Sequence, residues 1–110
     1  MTSRLSSDLM VSALIRRVEA AGGHAMVLAR GDRGGGAILI ACAEKGRVEK
    51  LLERTLNLDG AYVWTGCGPA APAEPQQFQD YLDRRRARDP DLWIVELDIA
   101  QAERFAAETI

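Results

Sequence analysis

The sequence predicts a single α+β domain spanning residues 1–110, with an N-terminal helix, an antiparallel sheet of about five strands and a second helix before the last strand. Three observations lead to this fold class. An apolar helical stripe opens the chain, short apolar runs separated by turn signals fill its middle, and a proline divides an amphipathic helix from a final apolar strand. The 110 residues are 47% hydrophobic and 27% charged, which is sufficient for one solvated core.

The first helix is predicted from its apolar spacing and its boundaries. Ser6, Ser7 and Asp8 offer side-chain oxygens that can cap a helix N-terminus. The apolar residues that follow recur on one helical face: Met10, Val11, Leu14, Ile15 and Val18. The pair Gly22 and Gly23 then predicts the end of the helix.

Two apolar runs flank a glycine-rich segment at residues 31–36, and we interpret them as two strands joined by a glycine turn. Such a glycine cluster also resembles a loop that cradles phosphate. A phosphate loop, however, follows a strand and opens a helix, whereas here a second strand follows. The hairpin turn is therefore the favoured interpretation.

Residues 47–56 fit both a strand and an apolar helical stripe. We favour a strand because turn signals lie on both sides, at residues 44–47 and at Asp59-Gly60, and because an aromatic run at 62–64 can pair with it. The sheet is then expected to be an antiparallel meander.

The second half of the chain contains a loop, two predicted helices and one predicted strand, each with recognisable boundaries. Three prolines make residues 66–75 a loop, and the spacing within residues 76–88 predicts an amphipathic helix. Pro90 ends that helix, and a strand is expected from Leu92 to Asp98. Residues 99–110 are expected to form a short terminal helix carrying Phe105.

Charge and composition exclude several classes of function. The net charge of −2 and the pI near 5.4 argue against general binding to nucleic acid or anionic membrane. No apolar run approaches the roughly 20 residues that cross a bilayer, and residues 1–8 lack the apolar stretch of a signal peptide. We therefore expect a cytoplasmic protein. Cys42 is expected to be buried and Cys67 to lie in an exposed loop, both as free thiols, and no metal or cofactor set is apparent.

The candidate interaction surface combines an arginine-rich helix with the acidic segment that follows it. Its members are Arg84, Arg85, Arg88, Asp89 and Asp91. Guanidinium groups suit phosphate or partner carboxylates, although a merely solvated helix face explains the same run.

Other charged and aromatic residues are better explained by structure. Glu96 and Asp98 share one strand face, where we expect them to protect a sheet edge. Trp64 and Trp93 lie in apolar runs and are expected in the core. His24, Asp89 and Asp91 are the least implausible catalytic residues, but no nucleophile accompanies them.

Several segments together resemble a known family. They are Ser7-Asp8, the helix segment 11–17, Gly22-Gly23, Gly35-Gly36-Ala37 and, most specific of all, residues 89–96, which read DPDLWIVE. The sequence resembles the alphaproteobacterial domain-of-unknown-function family 1491 over nearly its whole length. The resemblance implies a cytoplasmic bacterial protein and transfers no catalytic residues.

The sequence favours a non-enzymatic protein-interaction or adaptor module, because it shows no metal or nucleophile set and its sheet edges could pair with another chain. The partner would be an unidentified protein or a second copy of the chain. The alternative is binding of a phosphate-bearing ligand or RNA through the arginine-rich helix. A small enzyme of unknown reaction is the third interpretation.

Overall fold

The structure, a computed structural model, describes residues 6–109 and folds this part of the chain into three helices and one five-stranded sheet. The elements in chain order are α1 (Ser7–Ala20), β1 (His24–Ala29), β2 (Ile38–Glu44), β3 (Arg47–Leu56), β4 (Tyr62–Cys67), α2 (Pro75–Arg88), β5 (Trp93–Asp98) and α3 (Ala102–Thr109). The predicted α+β class, the strand at residues 47–56 and the helix before the last strand are confirmed. Residues 1–5 and Ile110, which the expectations about a signal peptide and a terminal helix include, lie outside the described residues.

The sheet has the order β1-β5-β2-β3-β4, and the pair β2 and β5 is parallel while the other three pairs are antiparallel. The predicted antiparallel meander holds for β2, β3 and β4. The predicted hairpin of β1 with β2 is wrong, because β5 lies between them and pairs with both. Turn residues report that a chain reverses direction, but they do not report whether another strand fills the gap.

The helices pack on both faces of the sheet. α1 and α3 cover one face and bury a core that includes Leu14, Val18, Ile40, Val95 and Leu97. α2 lies over the other face and buries a smaller core that comprises Leu39, Ala41, Leu51, Phe78, Leu82, Leu92 and Ile94. The two faces are therefore covered unequally.

The ends of α1 agree only in part with the predicted caps. Gly22 adopts a φ of 91° just past the helix, so the predicted stop is confirmed. At the other end Ser6 is the N-cap residue but makes no side-chain bond to the helix backbone. Its hydroxyl donates to Asp8 Oδ1 at 2.6 Å, and the Ser7 hydroxyl donates to the carbonyl oxygen of Gly36 at 2.5 Å. The start of α1 is thus fastened to the glycine-rich segment.

The glycine-rich segment packs against the residues at the start of β5. The amide of Asp32 donates to the carbonyl of Asp91 at 3.0 Å, and the Trp93 indole Nε1 donates to the carbonyl of Asp32 at 2.7 Å. A Cβ atom on Gly31 or Gly36 would collide with the Asp91 carbonyl oxygen. Glycine is needed at both positions because the two backbones approach so closely.

The same segment does not expose a ring of amides as a phosphate loop does. The amide of Gly35 donates to Asp32 Oδ2 and that of Gly36 to the Asp32 carbonyl, so both donors are used within the segment. The first amides of α1 are also engaged, because Ser7 and Asp8 donate to the carbonyls of Gly34 and Arg33. Structure, rather than anion binding, explains these glycines.

Local sequence accounts for both ends of α2. Pro75 occupies the first turn, and Gln77 Oε1 accepts from the backbone amide of Glu74 at 2.8 Å, which is one of the two bonds of a capping box. Asp89 is the C-cap residue before Pro90, and its carboxylate accepts from the amide of Asp91 at 3.1 Å. This sharp turn delivers the chain directly into β5.

Candidate protein-interaction surface

α2 leaves part of its sheet face uncovered on the side of β1. We call it the open face. It consists of Met26, Leu28, Val48 and Glu96; the buried Ala41 forms its floor, and the α2 residues Phe78 and Leu82 form its far wall. Between β1 and α2 it deepens into a groove of about 210 Å³. The groove is mainly apolar.

β1 borders the open face and is an edge strand of the sheet. Met26 is 59% exposed and Leu28 is 44% exposed, so both large apolar side chains project into solvent. Its sequence, HAMVLA, contains no lysine, arginine, aspartate, glutamate or proline. Exposed edge strands usually carry such residues, because they prevent pairing with another chain. β1 has only a bulge between Val27 and Ala29, and the four residues from His24 to Val27 keep regular register with β5.

Among residues 6–109, Glu96 is the only carboxylate that lines the groove. It lies directly opposite Met26 in the β1–β5 pair and beside Ala41 in the β2–β5 pair. Burial, and secondarily the negative charge of Asp98, raise the pKa of the Glu96 carboxyl. Among the described residues, Glu96 has no hydrogen-bond or ion-pair partner. The groove therefore holds a partly buried carboxylate that makes no ion pair, although Arg47 also lines the groove.

The expectation that Glu96 and Asp98 protect a sheet edge is wrong. β5 pairs with β1 on one side and β2 on the other, so it has no free edge. Their shared face is the open face, and Asp98 Oδ2 accepts from the amide of Gly46 at 2.7 Å.

The arginines of the predicted surface lie in two different environments, because α2 turns some of them toward solvent and others toward the sheet. Arg84 and Arg88 are exposed, whereas Arg85 is half-buried against the sheet. Arg85 Nη1 donates to Glu53 Oε2 at 2.9 Å and to the Tyr81 hydroxyl at 2.8 Å. These bonds fasten α2 to β3, so Arg85 has a structural role that its position in an arginine run does not reveal.

The acidic members of the predicted surface form the turn before β5. Asp89 caps that turn, and the carbonyl of Asp91 receives the Asp32 amide. Arg86, also in the arginine run, donates Nη1 to the carbonyls of Arg30 and Leu92, each at 2.7 Å. The Asp91 side chain, which follows Arg88 by three residues in the sequence, is exposed. Its part in an interaction surface stays a prediction.

The three residues considered for catalysis do not form one site. His24 lies opposite Asp98 at one end of β5, whereas Asp89 and Asp91 precede its other end. At the rise per residue of a β-strand, the distance along β5 between His24 and the two aspartates is about 20 Å. No proton can pass directly between groups so far apart, so this combination supports no acid–base mechanism.

The two tryptophans differ in their surroundings. Trp93 is 2% exposed and lies in the core, as predicted. Trp64 on the edge strand β4 is only partly buried against the α1 side of the sheet. Its indole Nε1 is buried and has no hydrogen-bond partner among residues 6–109.

Both cysteines are free thiols. Cys42 is buried, as predicted, while Cys67 is the last residue of β4 and half-buried rather than in an exposed loop. Burial raises the pKa of Cys42 to about 12 and also raises that of Cys67. Because the thiolate is the reactive form, neither environment activates a nucleophile.

These pKa shifts predict slow alkylation of native Cys42. In a Cys67→Ser variant, we expect a thiol reagent at mildly alkaline pH to label the remaining cysteine only slowly until denaturant is added, because a thiol with a pKa of about 12 carries almost no thiolate there. Labelling kinetics followed by mass spectrometry measure this. Native labelling as fast as that of the unfolded chain would contradict it.

Within residues 6–109, no three His, Cys, Asp or Glu side chains converge as metal ligands. None of the helices described there is long and apolar enough to cross a bilayer.

The fold and the sequence place the chain in a family. A model described as protein of unknown function DUF1491 matches residues 5–107, so the chain belongs to the DUF1491 family. The crystal structure of a DUF1491 family protein from Caulobacter crescentus CB15 is similar, with 32% identity, a TM-score of 0.81 and coverage of 93% of this chain and 94% of that chain. An NMR structure of a DUF1491 family protein from the same organism gives 30% identity, a TM-score of 0.79 and 94% coverage of both chains.

A third similar structure is the solution structure of protein Atu0922 from A. tumefaciens, at 30% identity with a TM-score of 0.72, covering 90% of this chain and 89% of that chain. Comparison with curated proteins gives no match. The family is thus established, and it brings no function with it.

The open face is not predictable from the sequence alone. The sequence identifies Met26 and Leu28 only as apolar residues of a strand, and it predicts Glu96 at a sheet edge. The alternation of Met26 and Leu28 with smaller residues was the available signal, but its meaning depends on β1 being an edge strand beside β5.

Proposed function

We propose that this protein is a non-enzymatic protein-interaction module that receives an extended segment of a partner protein along β1. The observation that carries the proposal is an uncharged edge strand whose exposed Met26 and Leu28 adjoin an apolar groove. Addition of a strand to such an edge supplies backbone hydrogen bonds, and alternate side chains of the added strand then fall on the open face.

β1 suits this role better than the opposite edge, β4, which is also uncharged but whose large apolar residue Val63 is only 37% exposed. Thr65 and Gly66 of β4 are exposed, and Thr65 Oγ1 lies within hydrogen-bonding distance of Thr55 Oγ1, at 2.9 Å. A partner on β1 would instead cover two large apolar side chains. Fully burying such a side chain stabilises a complex by about 1.5–3 kcal/mol before the costs of association.

The alternative of phosphate or RNA binding through α2 has less support. Arg85 and Arg86, the half-buried members of the arginine run, are bonded to Glu53, Tyr81 and backbone carbonyls within the chain. Only the exposed Arg84 and Arg88 remain for a ligand, and no groove adjoins them among the cavities described.

A charge placed on β1 should abolish partner binding and leave the fold intact. We expect peptides selected from a displayed random library against the wild-type protein to lose at least about tenfold in affinity for Leu28→Asp, because the aspartate must be desolvated on binding. Stability should change little, since Leu28 is 44% exposed. Fluorescence anisotropy measures the affinity and urea unfolding measures the stability.

The matched control is Leu56→Asp, because Leu56 is 56% exposed but lies at the β3–β4 hairpin, far along the sheet from β1. It should bind like the wild type. Selected peptides that bind Leu28→Asp as well as wild type would overturn the proposal. A concentration-dependent dimer in light scattering that Leu28→Asp dissociates would identify a second copy as the occupant of β1 instead.

A further inference from the structure

We propose that the partner segment carries a lysine or arginine whose cationic group enters the groove between β1 and α2 and pairs with Glu96. This inference rests on the proposed function, and it specifies the chemistry of the partner. It follows from three features of the groove: an unpaired carboxylate, apolar walls, and a register that places the carboxylate within reach of an added strand.

The unpaired carboxylate is the first feature. Glu96 has no hydrogen-bond or ion-pair partner among the described residues, although it is partly buried. The other charged or polar groups around it do not neutralise it: Asp98 is two residues along the same face, His24 lies opposite Asp98, and Arg47 and Gln79 line the groove without bonding to Glu96. A cation from outside would supply the missing charge.

The walls are the second feature. Leu28 on one side and Phe78 and Leu82 on the other are apolar, while Ala41 beside Glu96 is small. Lysine and arginine combine an apolar stem with a charged tip, so their methylene groups can lie against these walls while the tip meets the carboxylate. A purely apolar side chain would bury Glu96 without compensation, which is costly.

The register is the third feature. Because Met26 lies opposite Glu96, the residue of an added strand beside Met26 falls in the same transverse row, two strand spacings from Glu96. That distance is about 10 Å. Only the long, flexible stems of lysine and arginine can cover most of it, with Glu96 extending to meet them.

A second copy of the chain meets these requirements poorly. The strand that a second copy would contribute at this edge is β1 itself, and no lysine or arginine lies between His24 and Ala29. A different protein with an alternating apolar and basic segment is therefore the occupant that we infer.

The test compares peptides selected from one displayed random library against the wild type and against Glu96→Gln. We expect wild-type selection to enrich lysine or arginine at one position flanked by apolar residues two positions away, and Glu96→Gln selection to lose that enrichment. A synthetic peptide of the wild-type consensus should bind Glu96→Gln at least about tenfold more weakly, as expected for loss of a charge-assisted bond. The control is Glu49→Gln, which neutralises an exposed carboxylate that does not line the groove. This variant should bind the peptide like the wild type.

Two further measurements separate recognition from a structural role. Because the pKa of Glu96 is raised in the free protein, its charged form opposes folding, and Glu96→Gln should unfold at a slightly higher urea concentration at neutral pH while binding worse. Affinity of the wild type should fall as the pH drops through the pKa of Glu96, and Glu96→Gln should lack this dependence.

A Glu96→Gln variant that is both less stable and weaker in binding would overturn the inference.

The inference and the proposed function fail in different ways. If selected peptides depend on Leu28 but show no basic preference, or bind Glu96→Gln normally, the basic-partner inference is overturned and the edge-binding function stands. If no peptide depends on Leu28, both are overturned.

Discussion

Substitution of Gly36 by alanine is expected to destabilise the protein by about 2–4 kcal/mol, because the new Cβ has no space. It would collide with the Asp91 carbonyl oxygen and lie 3.0 Å from both the amide nitrogen and the carbonyl oxygen of Asp32. All three are backbone atoms, so relief requires separating the glycine-rich segment from the start of β5. Urea unfolding followed by circular dichroism measures the loss.

The neighbouring glycine provides a matched control. A Cβ on Gly35 meets nothing within 4 Å, so Gly35→Ala should change stability by no more than about 0.5 kcal/mol. Equal stabilities for the Gly35→Ala and Gly36→Ala variants would show that the contact between the two backbones is not tight.

Trp93→Ala should also have a large effect, of about 3–5 kcal/mol, because it empties a buried aromatic site. Trp93 is 2% exposed, and its indole Nε1 donates to the Asp32 carbonyl. The substitution therefore removes core volume and a bond that joins β5 to the glycine-rich segment. The denaturation midpoint measures it, and a loss below about 1 kcal/mol would contradict the described packing.

The two tryptophans differ in their indole hydrogen bond and in burial. Trp93→Phe loses the bond to Asp32 as well as ring area, whereas the Trp64 indole nitrogen has no partner among the described residues. Trp64 is also less buried, so Trp64→Phe should cost less than Trp93→Phe by at least the value of one net hydrogen bond, about 0.5–1.5 kcal/mol.

The helices and strands were predicted well from the sequence, because the residues that begin and end each element act through the backbone conformation of their immediate neighbours. Pro90 ends α2, Gly22 ends α1, and the turns at Gly46 and Gly60 delimit β3, each through backbone conformations that few residues adopt. The segment 89–96, on which the family resemblance depends most, also acquires a physical meaning. It is the segment that turns out of α2, receives the glycine-rich segment and enters the middle of the sheet.

The arrangement of strands was not predictable in the same way, and neither was the surface that depends on it. No local signal near residues 31–36 indicates that β5 fills the space between β1 and β2. The roles of Glu96, Met26 and Leu28 all follow from that insertion. It makes β1 an edge, makes β5 internal, and places a carboxylate beside two exposed apolar side chains.

The open face also explains why stability and recognition should oppose each other here. An unpaired, partly desolvated carboxylate and two exposed apolar side chains each disfavour the free protein. Residues that reduce stability in this way are retained most readily where a ligand uses them.

The insertion of β5 has a consequence for how the chain reaches its native state. β1 precedes the other four strands in the chain, yet its partner in the sheet is β5, and residues 24–29 pair with residues 94–98. β2, β3 and β4 can associate as they emerge, whereas β1 has no strand to pair with until β5 has been made. Pairings so distant in sequence require long loop closure and slow folding. An uncharged strand without a partner is prone to associate with other chains, so the completion of β5, which pairs with one of the two edges of β1, is expected to lower the risk that the newly made protein aggregates.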